Sequence, residues 1–276
     1  FKGNPNIGSI VLNQIVDSND FQDFANNFES GDKVFIISSI FGGTGASGFP
    51  LLLKTLRTGT NFRNNDLINH AEIGAITILP YFKLKNDDES EIDSSTFISK
   101  TKSALAYYEN NISKNNSIDA LYFLADDVTN TYENHEGGSA QQNDAHLVEF
   151  LAATAIVDFS NKQHTNTSNK ELGLKDFTGS VTFDSFYDKQ KRLLYAPLTE
   201  FMMMANCLNH KFDYYSSKDF NANNDNFNGL YGSSFMSDLQ NLTGLFTEWL
   251  GEMKSNKRPL DLFNLNTKDK PFEVVT

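Results

Sequence analysis

The sequence holds one cysteine, six prolines and no apolar run approaching transmembrane length. A lone Cys207 excludes an internal disulfide and a multi-cysteine metal site. Set in an apolar segment, it reads as a small buried residue. The missing apolar run excludes a membrane-spanning helix, and no signal-peptide pattern is visible. Basic charge is also scarce: 23 Lys and Arg stand against 35 Asp and Glu, for a net charge of −12. With no Lys/Arg cluster, binding driven by the phosphate backbone of nucleic acid is disfavoured. The five histidines (His70, His135, His146, His164, His210) have no metal-ligand spacing, and no G-x-S-x-G elbow is present. These absences point to a cytoplasmic protein with neither nucleic acid nor membrane as partner and no metal centre of its own.

What is present suffices for a large core: 276 residues, 39% of them apolar, with 24 Phe. Residues 7–28 show apolar positions at roughly helical spacing. Val34 to Ile40 is a continuous apolar run, the pattern of a central parallel strand covered on both faces. A helix is expected over 47–57, with Pro50 in its first turn, where a missing N–H costs nothing. Ile73 to Leu79 and Ala120 to Ala125 are further strand-like runs, and 95–111 reads as a helix between them. The segment 143–159 is apolar on nearly all sides, as in a helix buried mid-protein. Beyond it, 161–171 is polar and loop-like, Val181 to Phe186 alternates as a short strand does, and 196–209 and 232–254 look helical. The alternation of strand and helix predicts an α/β fold with a mainly parallel sheet flanked by helices over 1–160, followed by a more helical region over 161–276. In such sheets ligands sit at the carboxyl ends of the strands.

The segment Val34 to Pro50, VFIISSIFGGTGASGFP, runs from the first strand through a glycine turn into a helix. Gly42, Gly43, Gly45 and Gly48 permit positive φ and close approach of backbone to a ligand. Thr44 and Ser47 add hydroxyls beside the N–H groups of the helix start, Ala46 included, and an anion site follows. A tight turn with no ligand is the plain alternative. Gly43 to Gly48 also fits G-x-G-x-x-G, the dinucleotide fingerprint of NAD(P)-binding oxidoreductases. That fingerprint expects an acid at the end of the next strand, which here ends Leu79-Pro80-Tyr81; Asp66 has the spacing but lies in a polar connector.

The same loop resembles the signature loop of the tubulin/FtsZ superfamily, in which an apolar strand precedes G-G-G-T-G-[ST]-G and a helix follows. Gly42, Gly43, Thr44 and Gly45 match without a gap, and Pro50 falls where FtsZ-like proteins carry a proline. HAEIGAITILPYFKL at 70–84 and KGNPNIGSIVLNQI at 2–15 are similar to the flanking segments of that family. ALYFLADD at 120–127 resembles its strand near the base, and the helix from Asn143, with His146-Leu-Val148, its central helix. The resemblance implies a Rossmann-like nucleotide-binding architecture that binds GTP or GDP, with Mg²⁺, and self-assembles. Gly42, Gly43, Thr44, Gly45, Ala46 and Ser47 would hold phosphates, and Asp127 and Asn143 would read the base.

The sequence departs from the pattern at several points. Phe41 replaces the first glycine, and Gly48 falls one place late. The family's first strand and first phosphate loop, expected ahead of residue 1, are not in this chain. Its activation-loop acids are not recognisable among Asp158, Glu171 and Asp176, which read as solvated charges. The resemblance therefore implies binding with weak or no hydrolysis, while a scaffold that keeps the fold without nucleotide stands as the alternative. Asp87-Asp88-Glu89 with Glu91 reads as a solvated acidic loop that could alternatively hold Mg²⁺ or a ribose hydroxyl, His146 as structural, and Met202 to Met204 as core. Phe235, Leu239, Leu242, Leu245, Phe246, Trp249 and Leu250 form a stripe expected to pack on its own domain.

Overall fold

The computed structural model describes residues 4–85, 94–126, 128, 131–133, 145–161, 171–172, 192, 196–205 and 235–255. The chain divides into two compact units, one of Phe1–Asn143 with Leu147–Gly173 and one of Asp144–His146 with Leu174–Thr276.

The first unit is built on a parallel sheet. Strands β1 (Lys33–Ser39), β2 (Glu72–Ile78), β4 (Ala120–Leu124) and β6 (Glu171–Leu172) lie in the order β1-β2-β4-β6, all parallel. A short parallel pair, β3 (Lys83–Leu84) and β5 (Thr131–Tyr132), forms a second sheet, tied by an ion pair between Lys85 and Glu133. Helices α1 (Pro5–Leu12), α2 (Asn19–Asn27), α3 (Gly43–Thr58), α4 (Asn65–His70), α5 (Phe97–Tyr108) and α6 (Leu147–Asn161) complete the unit. The α/β class and the mainly parallel sheet thus match the sequence expectation.

Strand alternation sorts the core into two faces. Ile36, Ala75 and Leu121 meet Phe49, Leu53 and Leu56 of α3 and Phe97 and Tyr108 of α5. On the opposite face Phe35, Gly74 and Tyr122 meet α6. The Phe159 ring lies 5.2 Å from that of Phe35, and a Cβ on Gly74 would stand 2.7 Å from it. Glycine is therefore required at 74 for α6 to approach. Tyr122 donates its hydroxyl to the buried Asp158 carboxylate at 2.9 Å, and Lys33 pairs with Glu72 at 2.9 Å beneath the end of the helix.

Four expectations need correction here. The strand over 34–40 was expected to be central; among the described residues β1 pairs only with β2, and Ile37 is 58% exposed. The helix over 143–159 was expected to be buried all round; α6 buries the side that meets the sheet, whereas Ile156 and Val157 are exposed. Asp158 is not a solvated charge but sits on that buried side, three residues from Ala155 and seven from Leu151. Glu171, by contrast, is exposed, in β6 where a loop was expected, and accepts from Ser113 Oγ at 2.7 Å. Asp176 and the expected strand at 181–186 lie outside the described residues.

The amino end of the sheet is tied by one side chain. Arg57, in the last turn of α3, donates to Ser117 O (2.6 Å), Ala71 O (2.6 Å), Asn69 O (3.2 Å) and Asp119 Oδ2 (2.6 Å). The same Asp119 oxygen accepts from Ile73 N at 2.8 Å. Asn64, held at φ 55°, similarly donates to Ala25 O and Phe28 O and ties the end of α2 to the start of α4.

In the second unit 196–205 is helical and α7 spans Phe235–Ser255. Phe246 packs on Phe201 (4.7 Å) and Trp249 (5.6 Å). The expected apolar stripe is split. Thr243 is fully buried beside half-buried Leu239 and Phe246, while Leu242 and Leu245 are exposed. Met202 is buried, Met203 is exposed, and Cys207 lies outside the described residues.

Replacing Arg57 by Ala strands the Asp119 carboxylate and three carbonyls, and is expected to cost about 2–4 kcal/mol of unfolding free energy. Urea denaturation checks this, and Arg57→Lys should recover only part, because an ammonium lacks the planar fork that serves four acceptors.

Candidate functional site

The carboxyl end of the sheet is where the glycine turn lies. Pairing runs one residue past each strand, with Ile40 N donating to Ile78 O (2.9 Å) and Leu79 N to Leu124 O (2.8 Å). The turn that follows is very short. Gly42 is the N-cap of α3, with φ −89° and ψ 166°, and the helix starts at Gly43. No side chain caps it and no acid lies in its first turn. The N–H groups of Gly43, Thr44 and Gly45 therefore lack intrahelical partners, and the positive end of the helix dipole is unneutralised.

The glycines serve a purpose other than the expected one. None of Gly42, Gly43, Gly45 and Gly48 has positive φ; Gly31 is the one described glycine that does. At Gly45 the requirement is steric. A Cβ there would lie 2.3 Å from Ser39 O and 2.8 Å from Ser39 N, so the first turn of α3 presses on the last residue of β1. The helix also begins four residues before the expected 47, which moves Pro50 from the first turn into the interior. There it removes the donor that the Ala46 carbonyl would otherwise meet.

Of the residues expected to hold phosphate, Gly42 to Gly45 form the cap and first turn, and Thr44 is exposed. Ala46 is half-buried, in the next turn. Ser47 is buried and donates its hydroxyl to Gly43 O at 2.6 Å, so its proton is turned into its own helix. Asp127 and Asn143, expected at the base, lie outside the described residues, as do Asp87, Asp88, Glu89 and Glu91. His146 is 2% exposed, in keeping with a structural role. Asp66 stands in the first turn of α4, ahead of β2, at the opposite end of the sheet from the glycine turn.

Sequence reasoning missed an aromatic cluster beside the turn. Phe41 is buried with its ring 4.9 Å from Phe97, 5.8 Å from Phe82 and 6.3 Å from Tyr81. Phe82 in turn meets Tyr132 at 5.8 Å. The signal was the Tyr81-Phe82 pair directly after the strand-ending Pro80. Burial, with smaller contributions from the Glu149 carboxylate and Tyr132, pushes the Tyr81 phenol up to about 12. Burial likewise raises Tyr108 and Tyr122, the latter also through Asp158.

Comparison with family models, with curated proteins and with solved structures finds no match to this chain.

Two outcomes follow from this geometry. Gly45→Ala forces α3 off β1 and is expected to destabilise the protein by about 1–3 kcal/mol, although alanine favours helix intrinsically; chemical denaturation reads the sign. Tyr81 ionises near 10 when unfolded and near 12 when folded. The stability its burial supplies is therefore intact below pH 10 and declines as pH rises from about 10 to about 12. Tyr81→Phe should flatten that alkaline slope in melting midpoints taken between pH 9 and 12.

Proposed function

We propose that the glycine turn binds the phosphates of a guanine nucleotide, in the manner of the tubulin/FtsZ-like proteins that its sequence resembles. The observation that carries this reading is the uncapped start of α3, a 16-residue helix, at the carboxyl end of β1, with no acid in its first turn. Unpaired N–H groups and a helix dipole both favour an anion. Thr44, exposed in that turn, can donate a hydroxyl to a phosphate oxygen, and Mg²⁺ would accompany the nucleotide. Asp127 and Asn143 are the proposed base-reading residues, and self-assembly is part of the same proposal.

Turnover is expected to be weak or absent. Asp158 is engaged by Tyr122 within its own chain, and Glu171 by Ser113. Neither is placed as the acid that completes the hydrolytic site of a neighbouring subunit. The NAD(P) oxidoreductase reading loses Asp66 as its ribose contact, because Asp66 belongs to the other end of the sheet. A scaffold that keeps the fold without nucleotide is the second reading. The buried Phe41 favours it, since an aromatic ring occupies a position where the family carries a bare glycine.

Melting midpoints with excess GTP, GDP, ATP and NAD, each with Mg²⁺, separate these readings, because a ligand bound to the native state raises the midpoint. A rise with guanine nucleotides alone is expected. A rise with NAD alone favours the oxidoreductase, and no rise favours the scaffold. Thr44→Asp sharpens the test: a carboxylate in the first turn stabilises the empty helix by about 0.3–1 kcal/mol while repelling phosphate. The variant should melt slightly higher than the parent and lose the nucleotide response.

A further inference from the structure

The four-stranded sheet has an open edge along β1. Ile40 N donates to Ile78 O at 2.9 Å, which fixes the phase of the strand's backbone. Successive residues of a strand point their N–H and C=O groups to opposite sides. Val34, Ile36 and Ser38 therefore turn to β2, while Phe35, Ile37 and Ser39 turn away from it. Among the described residues nothing pairs with the outward N–H and C=O groups of Phe35 and Ile37. At Ser39 the first turn of α3 stands in the way, since a Cβ on Gly45 would lie 2.3 Å from Ser39 O. The window open to a further strand is thus centred on Phe35 and Ile37.

Proteins normally blunt such an edge with a bulge, a proline or a charge inside the strand. β1 uses none of these. Its register with β2 is unbroken from Lys33↔Glu72 to Ser39↔Ile78. Residues 34–39, VFIISS, include neither charge nor proline. Ile37 is 58% exposed. Its side chain lies on the same face of the sheet as Phe35, whose half-buried ring packs on Phe159 at 5.2 Å.

This window matches itself. When two β1 strands pair antiparallel about a two-fold axis at Ile36, Phe35 of each copy faces Ile37 of the other. Those two pairs exchange all the outward N–H and C=O groups of Phe35 and Ile37. The exposed Ile37 is then covered by a phenyl ring, an aromatic on β-branched pair of the kind that stabilises cross-strand contacts. Lys33 falls opposite Ser39, so no like charges meet. No acid lies within 33–39, in a chain whose net charge of −12 otherwise opposes contact between two copies.

We propose that β1 pairs antiparallel with β1 of a second copy about a two-fold axis at Ile36, joining two four-stranded sheets into one. Such an axis makes a closed dimer and not a filament. So short a window makes it a weak dimer, dependent on concentration. The pairing needs no nucleotide, and it stands apart from the self-assembly that belongs to the nucleotide reading.

Sedimentation velocity of the full chain over a concentration series, without nucleotide, tests this. The parent should pass from monomer to dimer as concentration rises, and Thr44→Asp should do the same. Ile37→Lys and Ile37→Glu each set two like charges diagonally across the axis, about 7–8 Å apart. Each should remain monomeric over the same series. Mixed one to one, the two variants should regain the dimer, because the diagonal then carries opposite charges. Ile37 is exposed, so the melting midpoints of both variants should stay near that of the parent. Amide hydrogen exchange at Phe35 and Ile37 should slow with concentration in the parent and not in either variant alone. The proposal is overturned by a parent that stays monomeric, by a dimer that survives the single substitutions, or by a mixture that stays monomeric. It is equally overturned if the amides of Phe35 and Ile37 are protected in the monomer, since another segment of the chain then closes the edge.

Discussion

One guanidinium sets the geometry of the first unit. Arg57 leaves the last turn of α3 and meets carbonyls from the end of α4, the approach to β2 and the approach to β4, together with the Asp119 carboxylate. Those acceptors lie 12 to 62 residues away in the chain. Each would otherwise be a polar group at the margin of the core, where an unpaired acceptor is costly. A planar fork with five donors can serve all of them at once, which no other side chain can. With the amino end of the sheet held there, the position of α3 is fixed, and so is the place where its other end meets the carboxyl edge of β1.

The two ends of the sheet are thus treated differently. At the amino end Arg57 and Asp119 gather acceptors from three segments, and Lys33 pairs with Glu72. At the carboxyl end one side of the turn is sealed by rings, Phe41 with Phe82 and Phe97, while the first-turn amides of α3 have no capping side chain. A ligand that supplies acceptors at that point would complete what the chain itself leaves open.

The sheet was legible because its strands are continuous apolar runs, and parallel strands covered by helices must be. The start of α3 was not. Three glycines and a proline look like a loop, and only the fit of Gly45 against Ser39 reveals why a helix forms through them. The burial of Asp158 follows from helical phase, not from its charge: a residue seven after Leu151 and three after Ala155 belongs to the buried side of the helix. Arg57 gave no local signal at all, since its partners are mostly backbone carbonyls and any residue supplies those. The two-residue strand β6 lies in a polar stretch and is defined only by its neighbour β4. Of the candidate site, the sequence placed the turn itself and its glycines, but not the aromatic cluster that flanks them.

The composition of α3 has a consequence for how the protein acquires its structure. The half from Gly43 to Pro50 has poor intrinsic helicity, while Leu51 to Thr58 is rich in good helix formers. In the unfolded chain only the latter half can begin to wind, and a helix that short is marginal alone. The former half can form only once β1 offers Ser39 as a surface to settle on. Strand and turn must therefore assemble together, and the stiffness of the glycine turn is borrowed from the strand beside it.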